Sequence, residues 1–204
     1  VPEEFRLPDL QRATALAVLI GNTRALWPCF VAALRQDATL RQADDPLDTY
    51  VTRHVHEALR PVRPAWQVRW SHETTPAPVA MQRLAEAAGL ASLAPSHLSV
   101  HPVYGPWISL RAVVVIDVDG PPGPPPRLRP PCDDCERQCM AAFERALAVA
   151  GPLTATHAAL ESHWRDWLAV RDACPAGREH RFDEEQLRYH YTKDREILRR
   201  VARA

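Results

Sequence analysis

Three cysteines fall within eight residues, Cys132, Cys135 and Cys139, in the order C-x2-C-x3-C. Thiolates bind zinc tetrahedrally and hold iron–sulfur clusters. Two would make a redox pair, whereas three at this spacing suggest a metal or cluster that lacks one ligand. Cys174, in "ACPAG", is the downstream candidate for the fourth, and its Cys-Pro sequence is an ending seen after cluster ligands. Cys135 and Cys139 are four apart, which predicts that they share one face of a helix. Cys132 then lies just before the helix start, where free N–H groups and the positive end of the dipole favour thiolates. Spacing alone leaves three readings open: an iron–sulfur cluster, a zinc site, and unliganded thiols in a helical cap. The fifth cysteine, Cys29, stands apart in apolar "LWPCFVAAL".

The other candidates are weaker. His54 and His56 are two apart on a predicted helix and so face different ways. His180 and His190 read as surface or cap residues. His101 sits in "VHPVYGPW", where glycine, proline and aromatics concentrate in one turn; a histidine hydrogen-bonded within that turn is the plain alternative to a functional one. "HWRDW" (163–167) reads as an amphipathic helix with an aromatic core face and an ion pair. Glu184 and Glu185 follow Asp183 in a helix-capping context and read as a solvated helix start. Glycine-rich phosphate loops and nucleophile elbows are missing from the sequence.

Positioning these residues requires a mixed fold. "ATALAVLIGNT" and "AWQVRWSH" read as strands, and "ISLRAVVVIDV", rich in β-branched residues, is the strongest strand. "LWPCFVAALRQD" reads as a helix. Asp45 before Pro46 predicts an N-cap with proline at the first helical position, opening "PLDTYVTRHVHEAL". "VAMQRLAEAAGL" should close at Gly89 in a left-handed cap. The proline tract 121–131 predicts a stiff, extended spacer. Beyond it come three helices: "CERQCMAAFERALAVAG", "THAALESHWRDWLAVRDA" and "FDEEQLRYHYTKDREILRRV". The expectation is an α+β sheet core over residues 1–120, with a cysteine-bearing helical C-terminal cap over 121–204 packed on it as one structural unit.

The 204 residues are 46% apolar with zero formal net charge. That supplies a core and gives no electrostatic reason to expect a nucleic-acid or membrane partner. The apolar runs are too short to span a bilayer. The cysteine usage fits a reduced, cytoplasmic chain with a metal or cluster site better than a disulfide scaffold.

"DDPLDTYVTRHVHEAL", "HPVYGPWISLRAVVVID", "PPGPPPRLRPPC" and "HWRDWLAVRDACP…REHRFDEEQ" occur in the order found in the cobalamin-processing family CblC, which the chain resembles over roughly residues 13 to 190. The resemblance implies a flavin-reductase/nitroreductase-like antiparallel sheet with flanking helices. It implies a protein that binds cobalamin base-off and reductively removes the upper axial ligand, by decyanation or dealkylation. The turn and strand that approach the corrin ring in the family match Ser99, His101, Tyr104, Gly105, Trp107 and Leu110, and "PVAMQR" adds Val79, Ala80 and Met81. The glycine is expected to allow close approach of backbone to the macrocycle. The family's glutathione-binding arginines match Arg111 and Arg165. The family's basic dimerisation stretch corresponds to "HETTPAP" (72–78), which lacks basic residues, so a monomer or weak homodimer is expected.

The cysteine series resembles that of epoxyqueuosine reductases, C-x2-C-x2-C-x3-C-P. Cys132, Cys135 and Cys139 match its last three members, while Arg129 and Met140 stand where the first cysteine and the proline would be. This implies one [4Fe–4S] cluster on Cys132, Cys135, Cys139 and Cys174 beside the corrinoid, reduced by an electron-donor protein. Thr75 stands near the place of the reductases' catalytic aspartate, so queuosine chemistry is not expected. The alternatives are a non-catalytic corrinoid carrier with zinc-bound or structural cysteines, and a metal-bearing regulatory module without corrinoid.

Overall fold

The computed structural model describes residues 7–8, 10–12, 14–75, 78–123, 129–133, 135–151 and 161–203. Its sheet is built around "SLRAVVVI", whose β-branched side chains favour extended backbone. This segment forms β5 (Ser109–Ile116), paired antiparallel with β1 (Leu16–Asn22) on one side and β2 (Trp66–Trp70) on the other. Arg111 through Val115 are buried, as a central strand requires. The β1–β5 register runs Leu16↔Ile116 to Ile20↔Ala112 and then shifts, with Gly21 opposite Leu110. Arg111 therefore has no partner on β1, the mark of a bulge that re-aims a side chain.

Ala112 and Val114 join the main core with Phe30 and Leu34 of α1 (Leu26–Gln36) and Leu47 of α3 (Pro46–Leu59). Asp37 closes α1 through its amide and opens α2 (Ala38–Gln42), where its carboxylate accepts from the Thr39 and Leu40 amides. This short helix was not expected from the sequence. Asp45 caps α3 by accepting from the Asp48 amide, with Pro46 at the first position, as the sequence predicts. Helix α4 (Met81–Ala87) is followed by Gly89 at φ +68°, again as expected. It packs on β5 and on a hairpin of β3 (Ser92–Leu93) and β4 (Ser99–Val100).

The second half is helical, with two departures. Helix α5 spans Cys139–Ala150, so it starts at the third cysteine. Arg137 has φ +53°, a left-handed conformation that no helix interior tolerates. Cys135 and Cys139 therefore do not share a helical face. After α6 (Trp164–Asp172) and a short 3-10 turn (Arg178–His180), the single helix expected at the end is two. Helix α7 (Glu184–Thr192) stops at Lys193, φ +52°, and α8 (Arg195–Arg203) restarts with the Asp194 carboxylate accepting from the Glu196 amide. Asp183 caps α7 through the Gln186 amide.

Helices α5 and α6 pack together, whereas α8 returns to α1. Ile197, Leu198 and Val201 enter the main core beside Tyr189. The C-terminal helices thus do more than cap the sheet, since the last one completes the layer beneath it. Residues 124–128 of the proline tract, the early part of the helix expected from 156, and residues 76–77 of "HETTPAP" lie outside the described residues. Among the described residues, no helix is long and apolar enough to cross a membrane.

Candidate functional site

The hairpin β3–β4 leads into the "HPVYG" turn. His101 and Gly105 bond each other twice through the backbone, N–H to O, at 2.9 and 2.8 Å. The His101 Nδ1 accepts from the Val103 and Tyr104 amides at 3.0 and 3.2 Å. An accepting Nδ1 places the proton on Nε2, so the ring is neutral. Burial, with neighbouring His180, pushes its pKa below the ordinary histidine value. His101 thus holds the turn from within, as the plainer reading anticipates.

An open cleft of about 590 Å³ lies between the end of β1, the start of α1 and this turn, lined among others by Leu19, Asn22, His101, Tyr104, Ile108 and Leu110. At Ile108 and Leu110 it meets a recess of about 320 Å³ lined by Met81, Gln82, Leu98, Ser99, Pro106, Arg171 and Tyr191. The walls are largely apolar with a few polar groups, the usual composition of a small-molecule site. The Ser99 hydroxyl is buried without a protein partner. Five residues picked from the sequence, Met81, Ser99, His101, Tyr104 and Leu110, line the joined cleft. Val79 and Ala80 immediately precede Met81, whose amide donates to the Val79 carbonyl.

Trp107 and Gly105 have other surroundings. Trp107 is 1% exposed, within an aromatic cluster with Phe182 and Trp164, and the Arg171 guanidinium lies 4.8 Å from its ring centroid. Gly105 (φ +56°) faces protein backbone. A Cβ there would stand 1.9 Å from the Ala176 carbonyl oxygen. The close approach this glycine allows is to the loop after Cys174.

The four cysteines Cys132, Cys135, Cys139 and Cys174 line one largely enclosed cavity, together with Ala94, Leu98 and Val100 of the hairpin. Cys139 and Cys174 are buried, and Cys132 and Cys135 partly so. Burial raises the Cys132 thiol pKa, and Cys174, Cys139 and Cys135 raise it further as prospective negative neighbours. Burial likewise raises Cys174, although the Ala176 amide bonds to its sulfur. Among the described residues, the lining of this apolar cavity contains thiols and neither carboxylate nor imidazole, and thiols are soft donors. Among the described residues, no three His, Cys, Asp or Glu side chains are grouped so as to hold a metal ion.

The two candidate arginines lie in different surroundings. Arg111, re-aimed by its bulge, donates to Asn22 Oδ1 at 2.6 Å and lies 3.5 Å from Asp48, while its Nη2 is buried without a partner. Arg165 is exposed over the Trp164 ring and lines a separate open groove with Arg188. In "HWRDW" it is His163 that approaches Asp166, at 3.5 Å; both tryptophans are buried. His190, expected at the surface, is partly buried against Phe182 and Gln186, and burial with Arg111, Arg171 and Lys193 keeps it neutral by pushing its pKa well down.

No family model matches the chain. Human cyanocobalamin reductase / alkylcobalamin dealkylase is 26% identical over 211 residues, covering 94% of this chain and 68% of the human protein. The crystal structure of the C. elegans B12-trafficking protein CblC, a human MMACHC homologue, superposes with a TM-score of 0.71 at 18% identity, over 98% of this chain and 83% of the other. The chain is similar to CblC in fold. Both matches cover nearly the whole chain.

Sequence reasoning missed the β1 side of the cleft, Leu19 to Asn22, and Ile108 on its floor. The Gly21-Asn22 pair was readable as the end of a strand. Only its pairing with β5 brings it to the cleft, where a Cβ on Gly21 would stand 3.0 Å from the Ser109 carbonyl.

Proposed function

We propose that this chain binds cobalamin base-off in the joined cleft and reductively removes the upper axial ligand, as a decyanase or dealkylase. The observation that carries this is the convergence of Met81, Ser99, His101, Tyr104 and Leu110 on one cleft. The name of the human relative supports the reaction, and the mixed antiparallel sheet with flanking helices is compatible with the nitroreductase-like fold expected from the sequence. Axial ligation and burial set metal potentials, so holding the corrinoid without its lower base makes reduction easier. Val79, Ala80, Gly105 and Trp107 act from behind, by shaping the segments that carry the lining residues.

Among the described residues, those lining the cleft include no carboxylate, thiol or lysine, so the cleft itself would position, desolvate and shield the corrinoid while a donor supplies electrons. Without a donor the same cleft would be a carrier. Two donors have supporting residues. Arg111, with its buried unpartnered Nη2, suits a glutathione carboxylate, and Arg165 would contribute from its own groove. The four cysteines suit a [4Fe–4S] cluster. Zinc on the same thiols is the alternative. The expected setting is cytoplasmic, with an external electron-donor protein and a monomer or weak homodimer.

Titration of the purified protein with hydroxocobalamin tests the reading. The corrinoid bands should shift to their base-off positions, and cyanocobalamin should turn over with a reductant. An unchanged corrinoid spectrum would end the reading, and binding without turnover would leave a carrier.

A further inference from the structure

One polar side chain of the cleft is held in place from behind. Asn22 lines the cleft where β1 ends. The Arg111 Nε donates to its Oδ1 at 2.6 Å, and its Nδ2 donates to the Thr23 carbonyl at 2.9 Å. A guanidinium only donates and a carbonyl only accepts, so flipping the carboxamide would break both bonds. Its orientation is therefore fixed. Arg111 reaches it because of the bulge: Ile20 pairs with Ala112 and Gly21 with Leu110, which leaves Arg111 without a partner on β1. On its other side Arg111 lies 3.5 Å from the Asp48 carboxylate, with its own side chain only 10% exposed. A buried cation thus bonds a side chain that lines the cleft.

An amide NH2 carries two hydrogens, and Thr23 takes one of them. Among the described residues, no protein group accepts the other. The bond from Arg111 to Oδ1 polarises the carboxamide and makes this remaining N–H a stronger donor. Around it the cleft is mostly apolar, with Leu19, Leu26, Ile108 and Leu110, and no described side chain lining this part carries a charge. An apolar surface with one fixed donor at its edge suits a flat macrocycle whose rim bears carbonyl oxygens.

We propose that Asn22 is a specificity residue of this site: its second N–H donates to the carbonyl oxygen of a propionamide arm on the corrinoid rim, and Arg111 is the positioning residue that holds and polarises it. This rests on the corrinoid reading above. Cobalamin carries acetamide and propionamide arms around its ring. The propionamides are the longer, and they span from a ring seated on Ile108 and Leu110 to the end of β1. A contact of this kind reads the rim of the macrocycle and is indifferent to the upper axial ligand.

Asn22 is the only asparagine in the chain, so asparagine labelled with 15N in its side chain gives a single NH2 pair by nuclear magnetic resonance. When the full chain is titrated with cyanocobalamin, which is diamagnetic, one proton of the pair should move downfield and the proton bound to Thr23 should move much less. A pair that stays in place, or moves as one, would overturn the contact. A second test uses the cobalamin monocarboxylic acids, each with one propionamide hydrolysed, at pH 7.5. Asn22→Asp keeps an acceptor for Arg111 and puts a carboxylate oxygen where the N–H was. Relative to the wild type, it should bind one acid isomer at least ~10-fold more weakly than the others, because only there do like charges meet. An equal loss for every isomer, or no loss, would overturn the proposal, since damage to the frame cannot choose among isomers. A wild-type chain that leaves the corrinoid spectrum unchanged would overturn the corrinoid reading instead.

Discussion

Gly105 and Gly177 touch backbone to backbone: a Cβ on Gly177 would lie 2.5 Å from the Gly105 nitrogen, and one on Gly105 would lie 3.2 Å from the Gly177 nitrogen. Both have positive φ, +56° and +65°. An alanine at either position would face a left-handed backbone penalty of about 1–2 kcal/mol in addition to the clash. Gly105→Ala and Gly177→Ala should each destabilise the fold by roughly 2 kcal/mol or more, read as a lower urea midpoint. Each should also weaken cobalamin binding and iron retention together. A Gly105→Ala protein of wild-type stability would show that the two loops do not close on each other.

Ile108 lies where the two parts of the cleft meet. A charge there would have to be desolvated by a planar apolar ligand. Ile108→Glu should weaken hydroxocobalamin affinity at least ~10-fold, about 1.4 kcal/mol, with iron content and circular dichroism unchanged. Unchanged affinity by spectral titration would place the corrinoid elsewhere.

His101 holds its turn as a neutral acceptor, and its pKa in the fold lies below the ordinary value. A lowered histidine pKa means the unfolded chain takes up the proton first as pH falls. The stability it contributes is therefore complete above about pH 6.5, and it is lost as pH drops through the folded value. His190 is shifted in the same direction, so the His101 contribution must be isolated. The urea midpoint of the wild type should fall between pH 7.5 and 5.5, and that of His101→Gln should fall less. Equal slopes would remove His101 from the effect.

The Cys132 and Cys174 thiols have raised pKa values, so in the metal-free chain they stay protonated at neutral pH. Iodoacetamide, which reacts with thiolate, should modify both slowly at pH 7.5 and much faster near pH 9.5 by peptide mapping. Metal loading should protect both and release protons. Ready alkylation of Cys132 at pH 7.5 would argue against a closed cavity.

Arg111 neutralises Asp48 at 3.5 Å under the sheet, with both side chains mostly buried. Arg111→Met should cost roughly 2 kcal/mol, because it leaves the Asp48 carboxylate to Lys193 at 3.9 Å and His72 at 3.6 Å. If Arg111 also holds glutathione, the tripeptide should raise the wild-type Tm and leave that of the variant unchanged.

The sequence was most informative where local chemistry decides local structure. The β-branched run of β5, the Asp45-Pro46 start of α3 and the Gly89 stop after α4 all took their expected forms. It was least informative where one residue's backbone overrides a pattern. The Cys135–Cys139 spacing is helical in period, yet Arg137 in a left-handed conformation keeps Cys135 out of α5. Lys193 breaks an otherwise continuous helical pattern in the same way. β3 and β4, two residues each, are too short to leave a periodic signal, and so the place of this hairpin beside the two cavities could not be read. Trp107 is expected at the corrin only through the family motif, and its packing against Arg171 and Phe182 depends on tertiary contacts that the sequence does not show.

Helix α8 is the last element of the described chain, yet it seals the layer under the first strand, with Ile197, Leu198 and Val201 against the group that holds Phe30 and Leu34. Ribosomal synthesis runs from the N-terminus at roughly 5–20 residues per second. Strand β1 and helices α1 and α3 therefore emerge with an apolar surface that stays uncovered until the whole stretch from β5 to Asp194 has followed. That surface is the part of the nascent chain open to holding factors while the cysteine half is made, and a stop codon just before Arg195 should leave the main core incomplete.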